Sequence, residues 1–322
     1  MNVLLLYPEF PDTFWSLKHA LKFIRKRATL PPLGLMTVAA MLPESWSKRL
    51  VDLNVRGLRP QDLAWADIVF VSAMIAQRDS TRTLLARCRA AGKTIVAGGP
   101  LFSAEHERFP EVDHFVLNEA EVTLGPFLRD LARGCARRVY ASSEHPDLRH
   151  TPAPRWELAD RGRYASMSIQ FSRGCPYDCD FCNVTAMFGH QPRLKSPEQI
   201  IAELDGLYRL GWRRPVFFVD DNFIGNRRFL KESLLPALIA WRRGKRSITF
   251  FTEASINLAD DDRLMRMMVE AGFETVFIGI ETPDDAGLTE CDKRQNRDRD
   301  MVADVHRLHR CGSCWTCSVT PR

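Results

Sequence analysis

No apolar run in these 322 residues approaches membrane-spanning length, so no transmembrane segment is expected. The opening Met1-Asn2-Val3-Leu4-Leu5-Leu6-Tyr7-Pro8 lacks the basic stretch and long apolar core of a secretory signal. It reads instead as a first buried strand, and the expected compartment is the cytoplasm. There is no Gly-x-Gly-x-x-Gly and no Walker lysine loop, which weakens a nucleotide-binding reading. Charge of one sign is scarce too: the formal excess is only +5, and nucleic acid is not expected as a partner. Basic clusters at Lys22 to Arg27 and Arg242 to Arg246 have the chemistry to touch phosphate, but a solvated helix face is the simpler account.

What the chain does have is nine cysteines. In a cytosolic protein they argue for metal ligation over a disulfide framework. Cys88 and Cys135 lie in helix-like or loop contexts and read as plain structural thiols. Apolar content of 45% and charged content of 26% describe an ordinary globular chain, and the length suggests two domains, each able to bury a core.

The first half alternates short apolar strands with helices. Val3 to Leu6, Arg49 to Leu53, Ile68 to Ser72, Thr94 to Ala97 and Phe115 to Leu117 read as strands, separated by helical stretches such as Arg78 to Ala91. That order predicts a doubly wound parallel sheet. Such sheets bind ligands beyond the carboxyl ends of their strands, where Ser72, Gly98-Gly99-Pro100 and Glu119 fall. The adjacent glycines let backbone approach a flat ligand. Tyr140 to Trp156, rich in Pro, Ser, His and Asp, reads as a surface connection. The expected division is a Rossmann-like domain over 1–139, a linker over 140–165, an incomplete β/α barrel over 166–310 and an atypical tail over 311–322.

In the second half, Ser172 to Asn183 reads Ser-Arg-Gly-Cys-Pro-Tyr-Asp-Cys-Asp-Phe-Cys-Asn. Cys175, Cys179 and Cys182 are separated by three residues and then two, so they must wrap one small object. A cubane has four irons, and three cysteines leave one iron open for another ligand. Zinc is the main alternative, and it would want a fourth ligand, for which His190 is close in sequence. The cysteine loop follows the strand read from Ser166 to Phe171. Three further strands run into Asp220-Asp221-Asn222, Thr252-Glu253 and Glu281-Thr282, and polar residues recurring past consecutive strands mark the functional rim of a β/α barrel.

The cysteine triplet resembles the signature of the radical S-adenosylmethionine (radical SAM) enzymes. The order of parts before it resembles the cobalamin-binding domain found upstream of that core. The stretch Tyr7 to Ser16 and the Asp-Asp-Asn-Phe-Ile-Gly-Asn run from Asp220 bring it nearest the group that includes hopanoid C-2 methylases. This resemblance implies a [4Fe-4S] cluster on Cys175, Cys179 and Cys182. For SAM it implies Asp220, Asp221 and Asn222 near the amino group, Glu281 at the ribose, Phe181 beside adenine and Glu253 nearby. For cobalamin it implies Ser72, Gly98, Gly99, Pro100 and Glu119. It implies an enzyme that reductively cleaves SAM and transfers a methyl group from cobalamin to an unactivated carbon of a small molecule or lipid. An external one-electron donor such as a flavodoxin or ferredoxin would be its partner.

The sequence departs from the family in several places. Asn118-Glu119-Ala120-Glu121 stands where Gly-Glu-Gly-Glu is usual, and Asp220-Asp221 stands where the family has Gly-Gly-Glu. The Asp-x-His-x-x-Gly motif that supplies a histidine to cobalt in other cobalamin proteins is absent too. Four barrel strands are legible where six are usual, and Cys311, Cys314 and Cys317 follow in the tail. The tail is expected to be the product of a frameshift or premature stop, with a second metal site as the alternative. On that expectation the chain is an impaired, cofactor-binding remnant of the enzyme.

Overall fold

The computed structural model describes residues 1–13, 16–311 and the backbone of 316–318. Phe14 and Trp15 of the entry stretch, and Cys314 and most of the tail, lie outside the described residues. The chain divides into two compact units, one of residues 1–146 with 150–165, the other of 147–149 with 166–322.

The first unit is built on six parallel strands: β1 (Asn2–Tyr7), β2 (Ser47–Asp52), β3 (Ile68–Ser72), β4 (Thr94–Gly98), β5 (His114–Val116) and β6 (Val139–Tyr140), in the order β2-β1-β3-β4-β5-β6. Successive side chains of a strand point to opposite faces, and both faces here are apolar. Leu4, Leu6, Val69, Val71, Ile95 and Ala97 pack with Leu84, Leu85 and Phe102 in one layer. Val3, Leu5, Ile68, Phe70 and Val96 pack with Leu35, Ala39, Leu124 and Phe127 in the other. A central strand buried on both sides reads as a continuous apolar run, which is why Val3 to Leu6 lacks alternation.

The expected linker over 140–165 is corrected. Its first residue belongs to β6, and residues 150–165 are strapped onto the first unit. Arg155 N–H donates to the Met36 carbonyl at 3.1 Å, Arg27 N–H to Arg163 at 2.8 Å and Ala165 N–H to Ala28 at 3.0 Å. Trp156 and Tyr164 are buried, and the Tyr164 hydroxyl donates to Asp52 Oδ2 at 3.0 Å. Burial raises the Asp52 carboxyl above its ordinary range, against hydrogen bonds from Asn54 and Tyr164. The prolines are consistent with irregular backbone, but irregular backbone is not the same as exposed backbone.

The second unit carries β7 (Met167–Ile169), a small antiparallel pair β8 (Ser172–Arg173) and β9 (Arg193–Leu194), then β10 (Val216–Phe218), β11 (Phe250–Ala254), β12 (Phe273–Gly279) and β13 (Thr316–Ser318). The main sheet is parallel and runs in chain order, β7-β10-β11-β12-β13. The four-strand expectation is corrected as well: Thr316–Ser318 pairs in parallel with Phe277–Gly279. Three residues are too few for a sequence pattern to reveal.

Helices join the strands with legible ends. Ser196 caps Pro197–Arg209, its Oγ accepting from Gln199 N–H; Asp261 caps Asp262–Ala271, which ends at Gly272 in the left-handed region. Phe218, Phe223, Phe250 and Phe273 fill the core with ring centroids 4.9 to 5.4 Å apart. Lys195 Nζ meets Glu203 Oε1 at 2.5 Å, both side chains buried. Among the described residues no helix is long and apolar enough to cross a membrane.

Candidate functional site

Past the end of β7, the antiparallel pair β8–β9 closes a lasso that holds the three cysteines. Its neck is tight. Gly174 has φ 100°, and a Cβ there would lie 2.9 Å from the Gly189 carbonyl oxygen, 3.0 Å from that of Gln191 and 3.2 Å from that of Phe188. Inside the lasso Cys175 N–H donates to Gly189 O at 3.3 Å and Cys182 N–H to Cys179 O at 2.9 Å. All three thiols are free and half-buried.

Neighbouring elements fasten this loop. Asp220, just past β10, is 1% exposed. Its carboxylate accepts from Phe171 N–H at 3.1 Å, and from Ser172 through both N–H and hydroxyl. Asn222 is buried and bonds Ser255, past β11. Asn257 Nδ2 donates to the Tyr177 hydroxyl at 2.6 Å. From the far side, Asp180 N–H donates to the Cys291 carbonyl at 3.1 Å, and Gln295 Nε2 lies 3.6 Å from Cys179 Sγ.

The electrostatics separate the two aspartates. Burial pushes Asp220 up to about 7 despite its donors. Burial pushes Asp221 up to about 6, and the Gly174 amide partly offsets this. Unlike Asp220, Asp221 keeps a buried oxygen, Oδ2, with no hydrogen-bond partner, and its charge acts on Cys175 and Glu253. An orphaned buried carboxylate oxygen beside the cysteine loop is suited to an incoming ammonium.

Burial also raises the thiols of Cys175 and Cys179; Gln295 and Lys293 counter it at Cys179. Iron binding would deprotonate them outright. Among the described residues no three His, Cys, Asp or Glu side chains are arranged to hold one metal ion. A cubane takes each of three thiolates on its own iron. Three thiols from one loop fit the cluster.

Glu253 is reached by solvent, yet enough protein surrounds it that desolvation raises its carboxyl, with the Asp221 charge adding. On the same face of the sheet lie Phe217, Phe251 and Phe277. Phe217 and Phe251 stack at 4.7 Å, Phe251 and Phe277 sit at 6.4 Å, and Glu253 is the register partner of Phe277. Phe181 is exposed, with Lys293 Nζ 5.4 Å from its ring centre. Lys293 also meets Glu281 Oε1 at 2.6 Å.

The structure therefore gathers Cys175, Cys179, Cys182, Asp221 and Glu253, with Phe181 and Glu281 linked through Lys293. Asp220 and Asn222 instead spend their side chains on holding loops. Gln295, Lys293 and the Tyr177–Asn257 pair escaped the sequence reading. No motif or spacing flags the stretch from Cys291 to Asn296, which reaches the cysteines only through folding.

In the first unit Ser72 and Gly98 are register partners. A Cβ at Gly98 would sit 2.5 Å from the Val116 carbonyl oxygen, and one at Gly99 (φ 89°) 2.4 Å from Ser72 Oγ. The glycines thus let the edge itself pack and leave a bare backbone ledge, from which Pro100 starts the next helix. Exposed Met74 and Ile75 lie just beyond Ser72. A ledge bordered by exposed apolar side chains fits a broad, flat cofactor. Glu119 is on the same edge of the sheet, but its carboxylate is buried against His145 Nδ1 at 2.9 Å.

Comparison with known proteins finds a family model for each half of the chain. The B12 binding domain model matches residues 25–127 and the Radical SAM superfamily model residues 169–319. The chain thus carries a B12-binding domain followed by a radical SAM domain, and these two domains imply a [4Fe-4S] cluster, SAM and cobalamin as cofactors. It is 44% identical to an uncharacterized methyltransferase of Synechocystis sp., over 97% of this chain and 59% of that protein. It is 37% identical to the hopanoid C-2 methylase of Rhodopseudomonas palustris, over 94% of this chain and 58% of that one. The chain thus spans less than two thirds of these relatives' length. Among solved structures, the cobalamin-dependent radical enzyme OxsB aligns with TM-score 0.78 over 98% of this chain and 49% of its own, at 16% identity. The methyltransferase TsrM of Kitasatospora setae aligns with TM-score 0.73 over 99% and 67%, also at 16% identity. These likenesses confirm the α/β fold with parallel sheets.

Proposed function

We propose that the protein is a cobalamin-dependent methyltransferase that reductively cleaves SAM at a [4Fe-4S] cluster and methylates an unactivated carbon, with lipids such as hopanoids as the substrate class. The observation that carries this reading is the cysteine loop at the carboxyl end of β7 beside Asp221, whose buried Oδ2 lacks a protein donor. When bound, the cluster and SAM supply one-electron cleavage and cobalamin supplies a transferable methyl group.

The chain's own residues bind and orient. Cys175, Cys179 and Cys182 would hold three irons and leave a fourth for SAM. Asp221 would accept hydrogen bonds from the SAM ammonium, Phe181 would flank adenine, and Glu281 would face the ribose while bonded to Lys293. Asp220 and Asn222 act one step back, by fixing the loops. Ser72, Gly98, Gly99 and Pro100 would support cobalamin from the backbone ledge, with Glu119 behind it.

The wall of Phe217, Phe251 and Phe277 next to Glu253 favours an apolar substrate, as does the similarity to a hopanoid methylase. The electron would come from an external donor of the flavodoxin or ferredoxin class, in the cytoplasm.

The test is anaerobic reconstitution with iron, sulfide and cobalamin, then SAM, a hopanoid and a reductant, with 5′-deoxyadenosine and label transfer from the SAM methyl to the hopanoid as readouts. Both products should form, and both should vanish when the three cysteines become alanine. A reduced, cluster-loaded protein that leaves SAM intact would refute the reading. SAM cleavage without hopanoid labelling would refute the substrate class alone.

A further inference from the structure

The short helix Lys18–Phe23 and the turn after it expose large apolar side chains. Phe23 is 91% exposed, Ile24 58% and Leu17 43%. The segment is anchored at its base. Leu21 is buried, Lys26 N–H donates back to the Leu21 carbonyl at 2.9 Å, and Lys26 Nζ reaches the Gly162 carbonyl at 2.7 Å. Arg25, with φ 57°, closes the turn. Phe23 and Ile24 therefore stand at the tip of a fastened turn.

Three cations flank that tip along the chain, and the side chains of Lys22, Arg25 and Arg27 are exposed. The neighbouring acids lie towards the other end of the element, where Glu9 meets Lys18 at 3.1 Å and Asp12 meets His19 at 3.4 Å. The tip is thus apolar at its point and positive around its rim. A solvated helix face, the account favoured by sequence, explains the cations but not an adjacent phenylalanine and isoleucine left in water. Apolar residues beside Lys and Arg are the composition that settles at a lipid–water interface, where side chains enter the acyl boundary and cations meet anionic headgroups.

We propose that the turn from Leu17 to Arg27 is a membrane-surface anchor that docks on bilayers containing anionic lipid. The charge of the rim selects this occupant over an apolar protein groove. This inference does not rest on the proposed methyl transfer, and its test needs neither cluster nor cobalamin.

The experiment is co-flotation of the full chain with vesicles of phosphatidylcholine alone or of phosphatidylcholine with phosphatidylglycerol. The protein should float with the anionic vesicles and far less with the neutral ones, and added salt should release it. Each cation near an anionic surface contributes a factor of roughly five, so Lys22→Gln with Arg25→Gln and Arg27→Gln should lose binding by roughly a hundredfold. Phe23→Ser with Ile24→Ser should lose it by at least about tenfold. All five side chains are exposed, so both variants should melt as the unchanged protein does. The proposal is overturned if the protein ignores anionic vesicles, or if either variant binds as well as the original. It is equally overturned if the patch drives self-association without lipid and Phe23→Ser with Ile24→Ser abolishes it.

Discussion

Replacing Gly174 by alanine tests whether the neck of the cysteine lasso sets the site's geometry. Two costs add at this position. A side chain held at φ 100° sits in a region that costs of order 1–3 kcal/mol. The new Cβ also meets three backbone carbonyl oxygens at 2.9 to 3.2 Å, none of which is the free end of a flexible side chain. Relieving that contact means moving the segment that returns to β9, at an overpacking cost of about 1–3 kcal/mol. The sum is about 2–6 kcal/mol, and even the lower bound makes the ligand-ready loop roughly thirtyfold rarer.

Gly34→Ala is the matched control. Gly34 lies in the helix Leu33–Met41, and nothing stands within 4 Å of a Cβ there. Alanine should stabilise that helix by about 0.5–1 kcal/mol. Both variants would be reconstituted anaerobically, with iron and sulfide counted per chain and cluster loss followed after adding a chelator. Gly174→Ala should bind little iron and lose it quickly, while Gly34→Ala should match the unchanged protein. A Gly174→Ala protein that keeps full iron with unaltered loss kinetics would show that the neck does not govern the loop.

Three other expectations follow from the same site and its supports. Gln295→Leu removes the N–H facing Cys179 Sγ and should make the cluster potential more negative; a shift of about 59 mV changes the reduced-to-oxidised ratio tenfold, and an EPR-monitored titration with no shift would count against the contact. Lys195→Met strands Glu203 without its buried partner and should cost about 3–5 kcal/mol in denaturant unfolding, whereas adding Glu203→Leu should recover most of it. Asp220 is pushed up to about 7 from 3.8, so the native state holds its proton more tightly than the unfolded chain. Its contribution to stability is full below the unfolded value and is lost as pH rises through about 7. Asp220→Asn should remove that slope, and an unchanged dependence of Tm on pH between 4 and 8 would contradict the assignment.

Much of the architecture was legible because it depends on local pattern. Val3 to Leu6 is apolar throughout because both sheet faces are covered, and Ser196-Pro197 and Asp261 with Gly272 mark helix ends through their own chemistry. The cysteine loop was legible because its ligands are neighbours in sequence. What stayed hidden depends on side-chain direction or on distant partners. A carboxylate past a strand reads alike whether it faces a ligand or a backbone amide, so Asp220 and Asp221 looked equivalent until one proved to hold Phe171 and Ser172. Trp156 and Tyr164 sit in a proline-rich stretch whose composition says loop, and only the surface they cover shows them to be core. Gln295 is 116 residues from Cys179, beyond any local signal.

The clamp at Asp220 has a consequence for biosynthesis. It lies 49 residues after Phe171 and 48 after Ser172, so a growing chain exposes its cysteines to the cell well before the group that fixes their loop has left the ribosome. Iron delivered to the nascent chain would meet three flexible thiols open to oxidation or to a wrong metal. The base of the loop is fixed only once β10 has paired with β7 and the carboxylate has met Phe171 and Ser172.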